Sequence, residues 1–178
     1  MSLTARPLPP VTEADHSLGP QDAPVTMVEY GDLECQLCGE AHPVVERVRA
    51  HFGDRLRFVF RHFPIPSAHP HAQLAAEASE AAAAQGAFWP LFHKLYENQQ
   101  HLERADLDRY AGELGLDLAA FDAALADGRY TQPIKDGFRA GLRAGVNGTP
   151  TFFINGQRYA GERDFAAMTA AIEQAMVS

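Results

Sequence analysis

Hydrophobic residues recur along this chain with two different periods, and each change of period marks the edge of an element. Val25 to Tyr30 is an apolar, β-rich run interrupted by Glu29 and closed by Gly31 and Asp32, short enough for a buried strand. From Glu34 the spacing turns helical, with Val44, Val45 and Val48 near one face and Gly53 at the end. Leu56, Phe58 and Phe60 then alternate with Arg57, Val59 and Arg61, which predicts a second strand. Upstream of Val25, five prolines up to Pro24 predict an irregular arm with at most a short strand.

Between about His69 and Gly145 the period stays helical. Ala72–Gln85 is alanine-rich and has Gly86 just past its end, so propensity and punctuation agree on a helix. Phe88, Phe92, Leu95 and Gln99 are helically spaced, with Trp89 and Tyr96 widening the apolar face. Leu107, Tyr110, Ala111 and Leu114 predict a third helix ending at Gly115. Asp117 caps a fourth, through Leu118, Phe121 and Leu125, that ends near Gly128. Ile134, Phe138, Gly141 and Leu142 suggest a fifth. After Thr149–Pro150, Thr151–Ile154 reads as a strand. Asn155–Gly156 is a tight-turn dipeptide, and Gln157–Ala160 returns as the partner strand. Asp164 caps a final helix with Phe165, Met168 and Ile172 on one side.

Composition narrows the function classes. Hydrophobic residues make up 46% and charged residues 21% of the 178, which is ordinary for a folded globular chain. The formal net charge of −8 argues against nucleic-acid binding, which is driven by Lys and Arg. No apolar run approaches the ~18–20 residues of a membrane helix. Met1 to Asp22 lacks the apolar centre of a signal peptide and carries acidic residues, so the expected location is cytoplasmic, with an exported mature form left open.

Both cysteines, Cys35 and Cys38, fall in one Cys-x-x-Cys. A bridge closing so small a ring restrains little of the unfolded chain, which points to reactivity rather than stapling. Disulfide exchange needs a thiolate, and the N–H groups and dipole of a helix N-terminus favour one. A strand–turn–helix junction places Cys35 there and Cys38 about one turn further, within reach of a mixed disulfide on Cys35. Zinc is the competing reading, but there is no second Cys-x-x-Cys, and beyond His42 no fourth ligand is evident. An inert buried pair is the remaining alternative. His62, His69 and His71 are close in sequence. Capping of the alanine-rich helix by His71 and its neighbours is preferred over metal binding. The aromatic residues near Trp89 read as core, and Arg61 as a solvated arginine.

Several segments together resemble the DsbA-like thioredoxin-fold thiol–disulfide oxidoreductases. They are Asp15–Gly19, Ala23–Thr26, Glu29–Asp32, Glu34–Cys38, Phe63–Pro64, His69–Ala72 and Gly148–Gly156. The resemblance implies an α/β fold, a thioredoxin-like core with an inserted all-helical subdomain. Residues 1–22 would be an irregular arm and residues 23–178 a single domain, with the insertion at about 69–145. It also implies Cys35 as the exposed nucleophile and Cys38 as the buried resolving thiol. Pro150 would be a cis-proline facing the disulfide, and Thr149 would offer backbone groups to an extended substrate. Gln36 and Leu37 are further candidate substrate contacts.

Glu29, six positions before Cys35, resembles the buried acid behind the pair. An acid in an apolar strand is costly unless paired or protonated, and burial raises its pKa, so it can accept the Cys38 proton. Relatives commonly carry proline after the first cysteine and an aromatic or histidine before the second. The neutral Gln36 and Leu37 here predict an intermediate reduction potential. The expected partners are protein thiols or disulfides and a redox-recycling partner. No organic cofactor or metal is called for, because the two sulfurs carry the electrons. A glutathione-dependent transferase or isomerase of the same fold and a non-catalytic binding or chaperone module are the alternatives.

Overall fold

A computed structural model describes residues 5–178. In chain order the elements are β1 (His16–Leu18), β2 (Val25–Gly31), α1 (Gln36–Phe52), a 3₁₀ turn (Gly53–Arg55), β3 (Leu56–His62), α2 (Ala72–Ala83), α3 (Phe88–Glu97), α4 (Arg104–Glu113), α5 (Leu118–Ala126), α6 (Thr131–Arg143), β4 (Thr151–Ile154), β5 (Gln157–Arg158) and α7 (Phe165–Met176). The fold is α/β, with a helical block inserted between β3 and β4, as the periodicity and the resemblance both imply. The chain divides into two compact units. Among the described residues, one comprises the chain up to Gly31, Glu40–Arg61 and Ala140–Ser178; the other comprises Asp32–Gly39 and His62–Arg139.

The first unit is organised by a five-stranded sheet in the order β1-β3-β2-β4-β5. β2 pairs antiparallel with β4, Met27 opposite Ile154 and Glu29 opposite Phe152. Its residues are buried throughout except Thr26, the near-continuous apolar run of a strand covered on both faces. β3 is likewise buried at Phe58, Val59 and Phe60, so the alternation seen in its sequence does not mark a solvent face. α7 packs on β2 and β4 with Met168 and Ile172 inward, and Asp164 caps it by accepting from the Ala167 amide at 2.8 Å. The β4–β5 turn has Asn155 at φ 45° and Gly156 at φ 80°, the left-handed pair that matches strand twist in a two-residue hairpin. The Asn155 side chain also accepts from the Thr26 amide at 2.9 Å, which ties the hairpin tip to the start of β2.

Arg61 is not the solvated arginine expected. Its side chain is 13% exposed and that of its ion-pair partner Asp15 14%. The guanidinium donates to both Asp15 oxygens (2.8 and 3.0 Å), to the carbonyls of Pro9 and Pro10, and to the Tyr30 hydroxyl. One planar fork thus pins the proline-rich arm, β1's leading turn and β2 at once. A proline-rich segment cannot build a ladder of its own, so the arginine supplies donors that its carbonyls would otherwise lack.

The second unit is built on α2. Its buried face is almost all alanine (Ala72, Ala75, Ala76, Ala78, Ala81 and Ala82), and α3, α4 and α5 pack against it. Phe88, Leu91, Phe92 and Leu95 of α3 and Leu107, Tyr110 and Ala111 of α4 complete that core, while Trp89 is half-buried. Asp117 caps α5 by accepting from the Ala120 amide at 3.0 Å, as expected.

The Arg61–Asp15 pair makes a prediction. Burial pushes the Asp15 carboxyl up, but the Arg61 hydrogen bonds, the Thr12 amide and the guanidinium charge outweigh it and hold the group below its ordinary value. The unfolded chain therefore takes up the proton first as pH falls. The pair's contribution is complete above about pH 4 and is lost as pH drops through the folded value. Arg61→Met should cost about 3 kcal/mol at neutral pH by leaving a buried carboxylate unpaired. The gap between wild type and this variant in urea unfolding should narrow as pH falls, beginning where the unpaired carboxyl, raised by burial in the variant, takes up its proton and continuing through the lowered wild-type value. A gap that stays constant to pH 2 contradicts the assignment.

Candidate active site

The segment Asp32–Gly39 carries the cysteines and is shaped by a short network of polar groups. After β2 the chain turns at Asp32, whose carbonyl accepts from the Cys35 amide at 3.1 Å, and α1 starts at Gln36. Cys35 is thus the residue flanking the helix start, and Cys38 lies in the first turn. The Cys35 carbonyl accepts from the Gly39 amide at 3.0 Å and opens the helical ladder. A sulfur at this flanking position sits at the end of the helix toward which the first-turn N–H groups point, which is the setting that favours a thiolate.

Cys35 is 6% exposed and Cys38 fully buried. Cys35 keeps slightly more access than Cys38, and is more enclosed than the exposed nucleophile implied by resemblance. Gln36 and Leu37 point outward, Leu37 with 46% of its surface exposed. Among the described residues neither cysteine belongs to a group of three potential metal ligands.

Two carboxylates and one amide hold this segment in place. The Asp32 carboxylate, wholly buried, accepts from the Glu34 amide (2.9 Å), the Ile65 amide (2.9 Å) and His69 Nδ1 (2.7 Å). Glu34 accepts from the His71 amide at 2.6 Å and from His71 Nδ1 at 2.7 Å. Because a carboxylate only accepts, both imidazoles carry a proton on Nδ1. On the other side Gln99 Nε2 donates to the carbonyls of Leu33 (3.0 Å) and Cys35 (2.8 Å). Gly39 leaves room for this amide, since a Cβ there would overlap Gln99 Oε1.

The three histidines read together in the sequence therefore serve separate partners. His71 stands at the N-cap position of α2 without a side-chain capping bond, a correction to the capping role. Its ring goes to Glu34 instead. His69 goes to Asp32, and His62 bonds to Glu80 (3.1 Å) and Ser79 (2.9 Å). Asp32, Glu34 and Gln99 carried no assigned role in the sequence reading. The signal available for the first two was a pair of acids flanking the turn into a redox motif.

In the other unit, Glu29 lies mid-β2 and is 3% exposed, which excludes a solvent-facing glutamate. The Thr149–Pro150 peptide bond is cis and leads directly into β4. The adjoining Thr151 hydroxyl donates to the Gly148 carbonyl at 2.7 Å, closing the turn around the proline.

Comparison with known proteins bears on the family and the fold. A family model described as Thioredoxin matches residues 11–174. Among solved structures, BdbD from Bacillus subtilis superposes with a TM-score of 0.85 at 22% identity, covering 98% of this chain and 99% of that one. A thioredoxin-like oxidoreductase from Silicibacter pomeroyi gives 0.83 at 24% identity, covering 94% and 95%. Alpha-DsbA1 from Wolbachia pipientis gives 0.80 at 23% identity, covering 94% and 93%. At these identities the likeness is one of fold.

Curated relatives are closer in sequence but much longer. Na(+)/H(+) antiporter NhaA 3 of Salinispora tropica is 46% identical over 93% of this chain and 25% of its own length. NhaA 1 of Mycolicibacterium gilvum is 44% identical over 94% and 27%. The chain spans about a quarter of the curated relatives it matches. Among its described residues no helix is long and apolar enough to cross a membrane.

The Gly39–Gln99 fit predicts a reversal of sign. In the wild type, Gly39→Ala should destabilise by about 1–2 kcal/mol, because the Gln99 amide must leave two carbonyls to make room. In a Gln99→Ala background the same substitution should stabilise by about 0.5–1 kcal/mol, the ordinary preference of a helix for alanine over glycine. A double-mutant cycle by chemical denaturation measures both, and additive effects would refute the interlock.

Proposed function

The chain belongs to the thioredoxin family, and from that premise we propose that it is a thiol–disulfide oxidoreductase acting on protein substrates through Cys35 and Cys38. The observation that carries this reading is the placement of the two cysteines. One flanks the start of α1 and keeps a little access, and the other is buried one turn further in. The DsbA-like fold of the solved neighbours supports it. The antiporter relatives contain this stretch within about a quarter of their length, so the proposed activity belongs to the shared stretch and not to ion transport.

In the reducing direction the Cys35 thiolate attacks one sulfur of a substrate disulfide. The new bond joins Cys35 to that sulfur, and the other substrate sulfur leaves as a thiolate. Cys38, once deprotonated, attacks the Cys35 sulfur, closes the Cys35–Cys38 bridge and releases the second substrate thiolate. Two electrons pass from the dithiol to the substrate, and the oxidising direction is the reverse. A recycling partner resets the pair, and the sulfurs need no metal or organic cofactor.

Glu29 is assigned the Cys38 proton, on its burial in β2 and the family resemblance. Thr149 and cis-Pro150 are assigned the substrate backbone, and the outward Gln36 and Leu37 its side chains.

Cys35→Ser should abolish disulfide exchange with a scrambled or reduced protein substrate. Cys38→Ser should instead accumulate mixed disulfides at Cys35, seen as dithiothreitol-sensitive adducts by mass spectrometry. Exchange that survives Cys35→Ser would rule out this mechanism.

A further inference from the structure

We infer that Glu34 is a positioning residue that sets the charge balance at Cys35: its fixed carboxylate opposes the Cys35 thiolate and so biases the pair toward the disulfide form. The inference rests on the redox reading of Cys35 and Cys38 given above. Glu34 is the peptide neighbour of Cys35, and its carboxylate is not a mobile surface charge. The His71 amide at 2.6 Å and His71 Nδ1 at 2.7 Å hold it at the start of α2, and only 16% of the side chain is exposed. A charge fixed and partly buried is screened less than one in solvent.

A carboxylate beside a forming thiolate disfavours it, whereas the disulfide carries no charge to repel. Glu34 therefore acts on the reduced state alone. Nothing within the spacer offsets it, since Gln36 and Leu37 are neutral. The groups facing Glu34 and its neighbour acid are His71 and His69, each bound through Nδ1. Asp32 contributes a second negative charge, but it is spread over three donors that build the turn itself. Its removal would read as loss of structure. Glu34 is the carboxylate whose charge can be removed while an acceptor stays in place.

The test uses the full chain in its reduced state, in a Cys38→Ser background so that one thiol titrates. Thiolate absorbance near 240 nm and iodoacetamide alkylation rates are followed against pH. Glu34→Gln removes the charge, keeps one oxygen for the His71 amide and turns its nitrogen to the His71 ring, which can accept at Nδ1 in its other tautomer. It should lower the apparent Cys35 pKa and speed alkylation below that pKa by about three- to tenfold. Glu34→Thr, a second neutral variant, should shift in the same direction. Glu34→Asp, which keeps the charge, should titrate like the wild type.

With both cysteines present, Glu34→Gln should move the glutathione redox equilibrium toward the dithiol by a similar factor. A Glu34→Gln or Glu34→Thr protein that unfolds thermally like wild type, yet titrates like it, overturns the inference. A Glu34→Asp shift as large as that of Glu34→Gln also overturns it. Alkylation requires no protein substrate, so a protein without exchange activity would sink the proposed function and leave the titration to judge Glu34.

Discussion

The buried Asp32 carboxylate is the contact on which the cysteine-bearing segment depends. A carboxylate taken wholly out of water is tolerable only when donors replace its hydration, and Asp32 has three: two backbone amides and one imidazole. Each donor fixes something different. The Glu34 amide closes the turn into α1, the Ile65 amide anchors the chain after β3, and His69 anchors the approach to α2. An uncharged side chain could accept some of these bonds, but none would hold three separate segments with comparable strength, because hydrogen bonds to a charged acceptor are the stronger kind.

The opposite side of the turn is held by neutral chemistry. Gln99 donates one amide nitrogen to two carbonyls, and Gly39 is the vacancy that lets it reach them. Between this amide and the two carboxylates, the backbone from Leu33 to Gly39 has little freedom left. Rigidity of this kind is what disulfide exchange asks of a nucleophile, since the attacking and resolving sulfurs must line up without a search. The enclosed Cys35 fits the same reading: a turn clamped on both sides leaves its sulfur a small window, and Leu37 remains as the exposed apolar surface beside it.

Much of this was legible in the sequence, and for identifiable reasons. Period and punctuation located β2, β3 and the helices of the insertion, because apolar spacing and glycine stops are local signals. The Asp117 and Asp164 caps were readable for the same reason. Pro150 was expected to be cis on resemblance alone, since nothing local distinguishes it from a trans proline opening a strand.

What escaped was long-range polar pairing. Arg61 looked like the polar phase of an alternating strand, and only the fold brings Asp15, Tyr30 and two proline carbonyls around it. His71 looked like a cap, and its ring is taken by an acid 37 positions away. Side chains that bond across such distances carry no periodic signature, whereas the apolar core does.

The neutral spacer changes where control of the cysteine pair must reside. A charged or imidazole-bearing residue between the cysteines would act on the sulfur directly, through the same first turn. With Gln36 and Leu37 there, the helix terminus supplies the attraction, and the fixed charges of the turn just before Cys35 are those of Glu34 and Asp32, both negative. On the proposed mechanism, attraction from backbone amides and repulsion from tethered carboxylates both bear on the Cys35 sulfur. Their balance is adjustable through residues outside the spacer, in a segment whose shape is held by the same carboxylates. On the proposed mechanism, structure and redox poise are therefore coupled: the carboxylates that fix the turn are also charges in the segment where the thiolate forms.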